Sequence, residues 1–188
     1  MAFTVVLDAC VLYPAPLRDL LMELAVRGLY RPKWSAQIHE EWTRNLLERR
    51  PDLTEERLRK TCEQMDLAVP DSLVDGYQYL VPAVTLPDCN DRHVIAAAIH
   101  AKADAIVTVN LRDFPPDALT IYNLEAIHPD DFLVNQFDLD EAAVVTAAQS
   151  IRKRLTRPPL DAATYLEKLK GIGLTKTVDV LRPYEQVL

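Results

Sequence analysis

The first apolar run, "FTVVL" (3–7), is short, continuous and rich in β-branched residues, and it stops abruptly at Asp8, as a buried strand of a parallel sheet does. Leu17, Leu20, Leu21, Leu24 and Ala25 then recur at spacings of three and four, which predicts an amphipathic helix ended by Gly28. "LYRPKW" (29–34) reads as a second short strand, which Pro32 confines to an edge or an end. Ser35 is placed to cap a helix whose Ile38, Trp42 and Leu46 share one face. Leu53 before Thr54, with Leu58 at the fourth helical position, makes a hydrophobic staple that opens another helix to about Leu67.

"LVPAVTL" (80–86) reads as an extended stretch leading into "PDCNDRHVIAAAI" (87–99), an apolar helix with Asp88 and Asp91 at its mouth. "ADAIVTV" (103–109) is the strongest internal strand, through Ile106, Val107 and Val109. "LTIYNL" (119–124) reads as a last strand and "HPDDFLVNQF" (128–137) as a short closing helix. This alternation predicts an α/β domain over 1–137, a three-layer α/β/α arrangement around a mostly parallel sheet. From 138 to 188 the pattern is helical only: "DEAAVVTAAQSIRKRL", a break at "TRPPL", "DAATYLEKLKGIG" and a last helix through Val180 form a C-terminal extension.

Composition narrows the class. At 188 residues, with 49% hydrophobic and 26% charged side chains, the chain can bury one full core. Its three cysteines, Cys10, Cys62 and Cys89, show neither a disulfide framework nor zinc-ligand spacing, and they point to a reducing cytoplasm. The start lacks a basic n-region and no run approaches a transmembrane span, so secretion and membrane insertion are not expected. The net charge of −7 opposes a purely electrostatic nucleic-acid binder. Residues 1–137 hold 13 basic and 21 acidic side chains, a net −8, whereas residues 138–188 hold 8 and 7, a net +1. The acidity of the first part suits either solubility or a cation site.

In an open α/β sheet, groups that follow the carboxyl ends of strands converge although they are far apart in sequence. Asp8 and Asp113 are such groups; Glu41 lies one turn into the helix after the second strand and Asp91 in the first turn of its own helix, so both can point to the same end. Taken singly, each has an ordinary explanation: Asp8 as a helix cap, Glu41 as a solvated residue beside Glu40, Asp88 with Asp91 as a capping box, Asp113 as turn chemistry. Taken as a set, they would repel one another and lose solvation unless a cation sat among them. Oxygen ligands without thiolates select Mg²⁺ or Mn²⁺, and such a site hydrolyses phosphate esters.

In order and spacing, "VVLDACVL", "SAQIHEEWTRNL", "PDCNDRHVIAAAI" and "ADAIVTVNLRDFP" together resemble the PIN domains, and specifically the VapC-type toxins of bacterial type II toxin–antitoxin pairs, over residues 3 to 135. The resemblance implies a PIN-like fold and a divalent-metal-dependent endoribonuclease with Asp8, Glu41, Asp91 and Asp113 as its acidic site. It further implies an RNA substrate, a cognate antitoxin protein and a homodimer. Asn110 stands where many members have an Asp, and Thr108 is placed to orient a carboxylate; both are read as polar supports of the site. Asp88 either joins the cluster or only caps its helix, and the Ser35 spacing favours Glu41 over Glu40. His39 and His93 are read as neutral, solvated or core histidines.

"RKRLTR" supplies Arg152, Lys153, Arg154 and Arg157 as candidate RNA contacts, with a solvated helix end as the plainer reading. "YLEKLKGIGLTKTV" (165–178) partly resembles a helix-hairpin-helix through Gly171 and Gly173, although a glycine-terminated helix explains it more simply. Two other functions compete with this one: a catalytically silent PIN-like interaction or regulatory module, against which the intact acidic set speaks, and a receiver-like phosphoacceptor. The latter needs paired acids after the first strand, and "DAC" has one.

Overall fold

The computed structural model describes residues 3–188. In chain order its elements are β1 (Thr4–Leu7), α1 (Ala9–Leu12), α2 (Ala15–Val26), β2 (Arg31–Lys33), α3 (Ala36–Arg49), α4 (Glu55–Ala68), α5 (Arg92–His100), β3 (Ala105–Val107), α6 (Pro116–Leu119), β4 (Glu125–Ile127), α7 (Pro129–Leu139), α8 (Glu141–Arg154), α9 (Ala162–Gly171) and α10 (Thr175–Leu181). Packing groups them into two compact units. One runs up to Tyr13 and resumes over Tyr30–His128; the other joins Pro14–Leu29 to Pro129–Leu188. The change to an all-helical pattern expected at 137 therefore falls inside α7, and α2 packs with the C-terminal helices.

The first unit is built on a four-stranded, wholly parallel sheet in the order β2-β1-β3-β4. Val5, Val6 and Leu7 of β1 are completely buried, as expected for an interior strand covered on both faces. Helix α5 packs on β1 and β3, with Val94 through Ala98 fully buried. Alanines at three of those positions let the helix approach the sheet closely. The register pairs Leu7 with Val107, so the two chains leave the sheet side by side at Asp8 and Thr108. Strand β2 lies at one edge: Arg31 N–H donates inward to Phe3 O at 2.8 Å, and Pro32 sits opposite Val5. Ser35 and Thr54 cap α3 and α4 through bonds to Ile38 N and Arg57 N, as their spacing predicted.

Three local expectations are corrected. Residues 80–86 are not extended; Gln78–Ala83 form a 3₁₀ segment that contains Pro82. The run "LTIYNL" is helical, because the Pro115-Pro116 pair starts α6, Thr120 Oγ1 bonds back to Pro116 O, and a 3₁₀ turn continues to Asn123 at φ 54°. The last strand lies just beyond, at Glu125–Ile127. Val109 lies outside β3 and is exposed.

The second unit is helical. In it α2 packs on α8 and α9, and α7 on α8 and α10. Leu20, Leu21, Leu133, Ala147, Ala148, Leu166 and Leu169 are fully buried. The "GIG" turn is a helix terminus: Gly173 takes φ 92° and Leu174 N–H returns to Leu169 O. The amides that open α10 are already engaged, since Asp130 accepts from Lys176 N at 2.9 Å, Thr177 N at 2.8 Å and Thr177 Oγ1 at 2.7 Å. Two of the amides that a helix-hairpin-helix would offer to a phosphate are thus taken by Asp130. Among the described residues no helix is long and apolar enough to cross a membrane.

Candidate active site

Asp8 ends β1 and is nearly buried. Its Oδ1 accepts from Ala9 N at 2.7 Å, capping α1, while Oδ2 accepts from Thr108 Oγ1 at 2.8 Å and from the Cys10 thiol at 3.0 Å. Capping and presentation of a carboxylate at the sheet edge are therefore served by one side chain. Thr108 is completely buried, and its hydroxyl also accepts from Asn110 N at 3.0 Å. Burial, and then the charge of Asp8, push the Cys10 thiol up to about 12, so it stays a protonated donor.

Asp91 ends the 3₁₀ turn Cys89–Asp91 and precedes α5. The capping bond at this turn is made by Asp88, which accepts from Asn90 N at 2.8 Å; Asp91 makes no side-chain cap bond to α5. Its carboxyl is raised to about 6, first by partial burial and then by the charges of Asp8, Asp88, Asp113 and Glu41. Five carboxylates from four separate stretches of chain thus act on one another.

Glu41 projects from α3, with Oε1 2.8 Å from Nε2 of the buried His93. The two atoms are close but are not aligned for a hydrogen bond. His39 belongs elsewhere: Trp42 Nε1 donates to its Nδ1 at 3.0 Å and its Nε2 lies 3.1 Å from Asp66. With Nδ1 accepting, the remaining proton sits on Nε2, and burial lowers the pKa of this ring.

Asp8, Glu41, Asp91 and Asn110 line one cleft of about 640 Å³ in the first unit. Asp88 and Asp113 supply charge nearby without lining it, and Glu40 does not line it either. The cleft also carries Tyr13, Asn45, Glu48 and Arg49, which sequence reasoning missed. Their signal was present, since Asn45, Glu48 and Arg49 follow Glu41 by four, seven and eight residues and so share its helical face. The donor set is carboxylate oxygen, which fits a hard divalent cation, and a cation would relieve the repulsion recorded in Asp91. Among the described residues no three His, Cys, Asp or Glu groups are already drawn into a coordination shell.

In the second unit, the cations of "RKRLTR" are partly committed. Arg152 donates to Leu188 O at 2.6 Å and Leu160 O at 3.0 Å, and Arg154 pairs with Glu23 at 2.6 Å. Lys153 and Arg157 are exposed, without an ionic partner among the described residues.

Comparison with known proteins gives matches along both parts of the chain. A family model described as the PIN domain matches residues 4–112, more than half of the chain, and one described as the VapC50 C-terminal domain matches residues 129–183. The chain is 42% identical over 94 residues to the protein named "Putative ribonuclease VapC50" of Mycobacterium tuberculosis (strain ATCC 25618 / H37Rv), covering 50% of this chain and 55% of that protein. The chain thus spans about half the length of the curated relative it matches. No solved structure matches it.

Proposed function

The chain belongs to the PIN-domain family, and from that premise we propose that it is a divalent-metal-dependent endoribonuclease, the toxin of a type II toxin–antitoxin pair. The observation that carries this reading is the meeting of Asp8, Glu41 and Asp91, from three separate stretches of chain, in one cleft at the carboxyl end of the sheet. An uncompensated cluster of this kind is costly unless a cation binds it. The name of the matched mycobacterial protein supports the choice of RNA as substrate.

Asp8, Asp91 and Glu41 would hold Mg²⁺ or Mn²⁺, with Asp113 and Asp88 adding negative charge around them. Such an ion, when bound, lowers the pKa of its water and stabilises charge on phosphate oxygens. Thr108 and Cys10 fix the rotamer of Asp8, so its carboxylate needs little reorganisation to act. Glu41 is held against His93. Arg49 and Asn45, on the Glu41 face of α3, offer a cation and an amide to the scissile phosphodiester. Cys10 is not a nucleophile in this scheme, because its thiol stays protonated; attack by water leaves no covalent intermediate. A cognate antitoxin, a homodimeric state and a cytoplasmic location complete the proposal.

The test is cleavage of a mixed cellular RNA pool by the purified protein with Mg²⁺ or Mn²⁺, with EDTA, and with Asp8→Asn and Asp91→Asn. Metal-dependent cleavage that both variants abolish is the expected result. Cleavage that persists in both variants would sink the assignment of the site. Absence of both cleavage and metal binding would leave the chain a catalytically silent interaction module.

A further inference from the structure

A second cavity, of about 360 Å³, lies wholly within the second unit, between the start of α2, the end of α8, the "TRPPL" loop and α9. Its size is at the lower end of the roughly 300–1,000 Å³ of small-ligand pockets, enough for one small molecule. Three kinds of group line it. Tyr165 is 1% exposed, and its hydroxyl is buried without a hydrogen-bond partner among the described residues. A buried hydroxyl left unpaired is costly, so this one is a donor available to a ligand atom that accepts its proton.

Beside it stands the half-buried Asp19, which burial pushes above the ordinary carboxylate range despite the pull of Arg18 and Arg154. Tyr165 is likewise raised, by burial and then by Asp19, and therefore remains a donor. Ile151, Leu155, Pro158 and Leu160 give the walls an apolar surface, interrupted by Arg154, which is paired with Glu23. At the exposed rim are Arg157 and Lys168, neither with an ionic partner among the described residues.

A polar inner end, an apolar slot and a cationic rim repeat the order of base edge, ring face and phosphate in a nucleotide. We infer that this cavity binds one nucleotide of an RNA strand, with the base inside against Tyr165 and Asp19 and the 5′-phosphate on Arg157 and Lys168. The inference rests on the ribonuclease reading for its choice of RNA, but the binding it asserts is separate from cleavage. It also gives Arg157 a task that a solvated charge run would not.

The experiment is calorimetric titration of the full chain, in EDTA, with the four 5′-ribonucleoside monophosphates, their nucleosides and inorganic phosphate. At least one monophosphate is expected to bind more tightly than its nucleoside and than inorganic phosphate. Tyr165→Phe, which removes only the hydroxyl, should weaken that binding about fivefold. The Arg157→Ala/Lys168→Ala pair should weaken it roughly tenfold or more, and Asp8→Asn should leave it unchanged. Inorganic phosphate binding as well as the best nucleotide would reduce the cavity to an anion site and overturn the inference. So would nucleotide binding that Tyr165→Phe and the double variant both retain, binding lost in Asp8→Asn, or no binding at all. Nucleotide binding by an unsubstituted chain that cleaves no RNA with Mg²⁺ or Mn²⁺ would sink the nuclease reading while leaving the cavity assignment intact.

Discussion

Thr108 and Asp8, a hundred residues apart in sequence, meet at the ends of adjacent parallel strands through a 2.8 Å hydrogen bond from the threonine hydroxyl to Asp8 Oδ2. The threonine is fully buried, so the bond is not shared with solvent. Thr108→Val preserves shape and strand preference but removes this donor. The variant is expected to fold normally by circular dichroism and to lose about tenfold or more in cleavage rate, whereas Thr108→Ser keeps most of it. Unchanged activity in Thr108→Val would show that Asp8 needs no such support.

Asp91 gives a pH dependence whose sign is fixed. Its carboxyl moves from an ordinary value near 3.8 to about 6 in the fold, so the native state loses stability as pH rises through that window. The penalty is absent below 3.8 and complete above 6. In EDTA at pH 7.5, Asp91→Asn is therefore expected to stabilise the fold by on the order of 1 kcal/mol, after allowance for solvent screening of a half-exposed group. Near pH 4 the advantage should vanish. Thermal melts of both proteins across that range check it, and an advantage of the variant over the unsubstituted chain no larger at pH 7.5 than at pH 4 would contradict the crowding of carboxylates.

The cysteines should separate by reactivity. Cys89 is exposed, whereas the Cys10 thiol is pushed to about 12 by burial and by Asp8. Titration with a chromogenic disulfide at pH 8 should label Cys89 at once and Cys10 at least about a hundredfold more slowly in the native protein. Asp8→Asn should quicken Cys10, because one of the causes of its raised pKa is removed.

Asp130 holds the start of α10 through two backbone amides and the Thr177 hydroxyl. Asp130→Ala is expected to cost about 2–3 kcal/mol and Thr177→Val about 1 kcal/mol, read from urea midpoints. A cost for Asp130→Ala no larger than for an exposed aspartate would mean that the cap contributes little.

Much of the fold was legible because its signals are local. A continuous apolar run ending at Asp8, the caps at Ser35 and Thr54, and the three-and-four spacing of α2 all depend on neighbours in sequence. "LTIYNL" misled because its β-branched residues were read without the Pro115-Pro116 pair, which starts a helix and lets Thr120 bond backwards. The carboxylates could be grouped from strand ends alone, since a parallel sheet brings such ends together. Which of them line the cleft could not: Asp8, Glu41 and Asp91 do, whereas Asp88 and Asp113 do not, although both lie near enough for their charges to act on Asp91. Of the Tyr165 cavity only the cations of "RKRLTR" stood out, because the rest is assembled from separate stretches of chain that read as ordinary helix ends.

Pro32 bears on how copies of this chain can associate. Arg31 points its N–H inward to Phe3, so the nitrogen of the next residue, Pro32, faces outward and carries no hydrogen. Just beyond, Trp34 exchanges backbone bonds with Ser72 and Val74, which occupies the rest of that rim. A strand from another molecule arriving there would find one donor missing and the adjoining ones taken. The sheet is sealed on that flank against growth by strand addition, and self-association of the first unit has to be built from other surfaces.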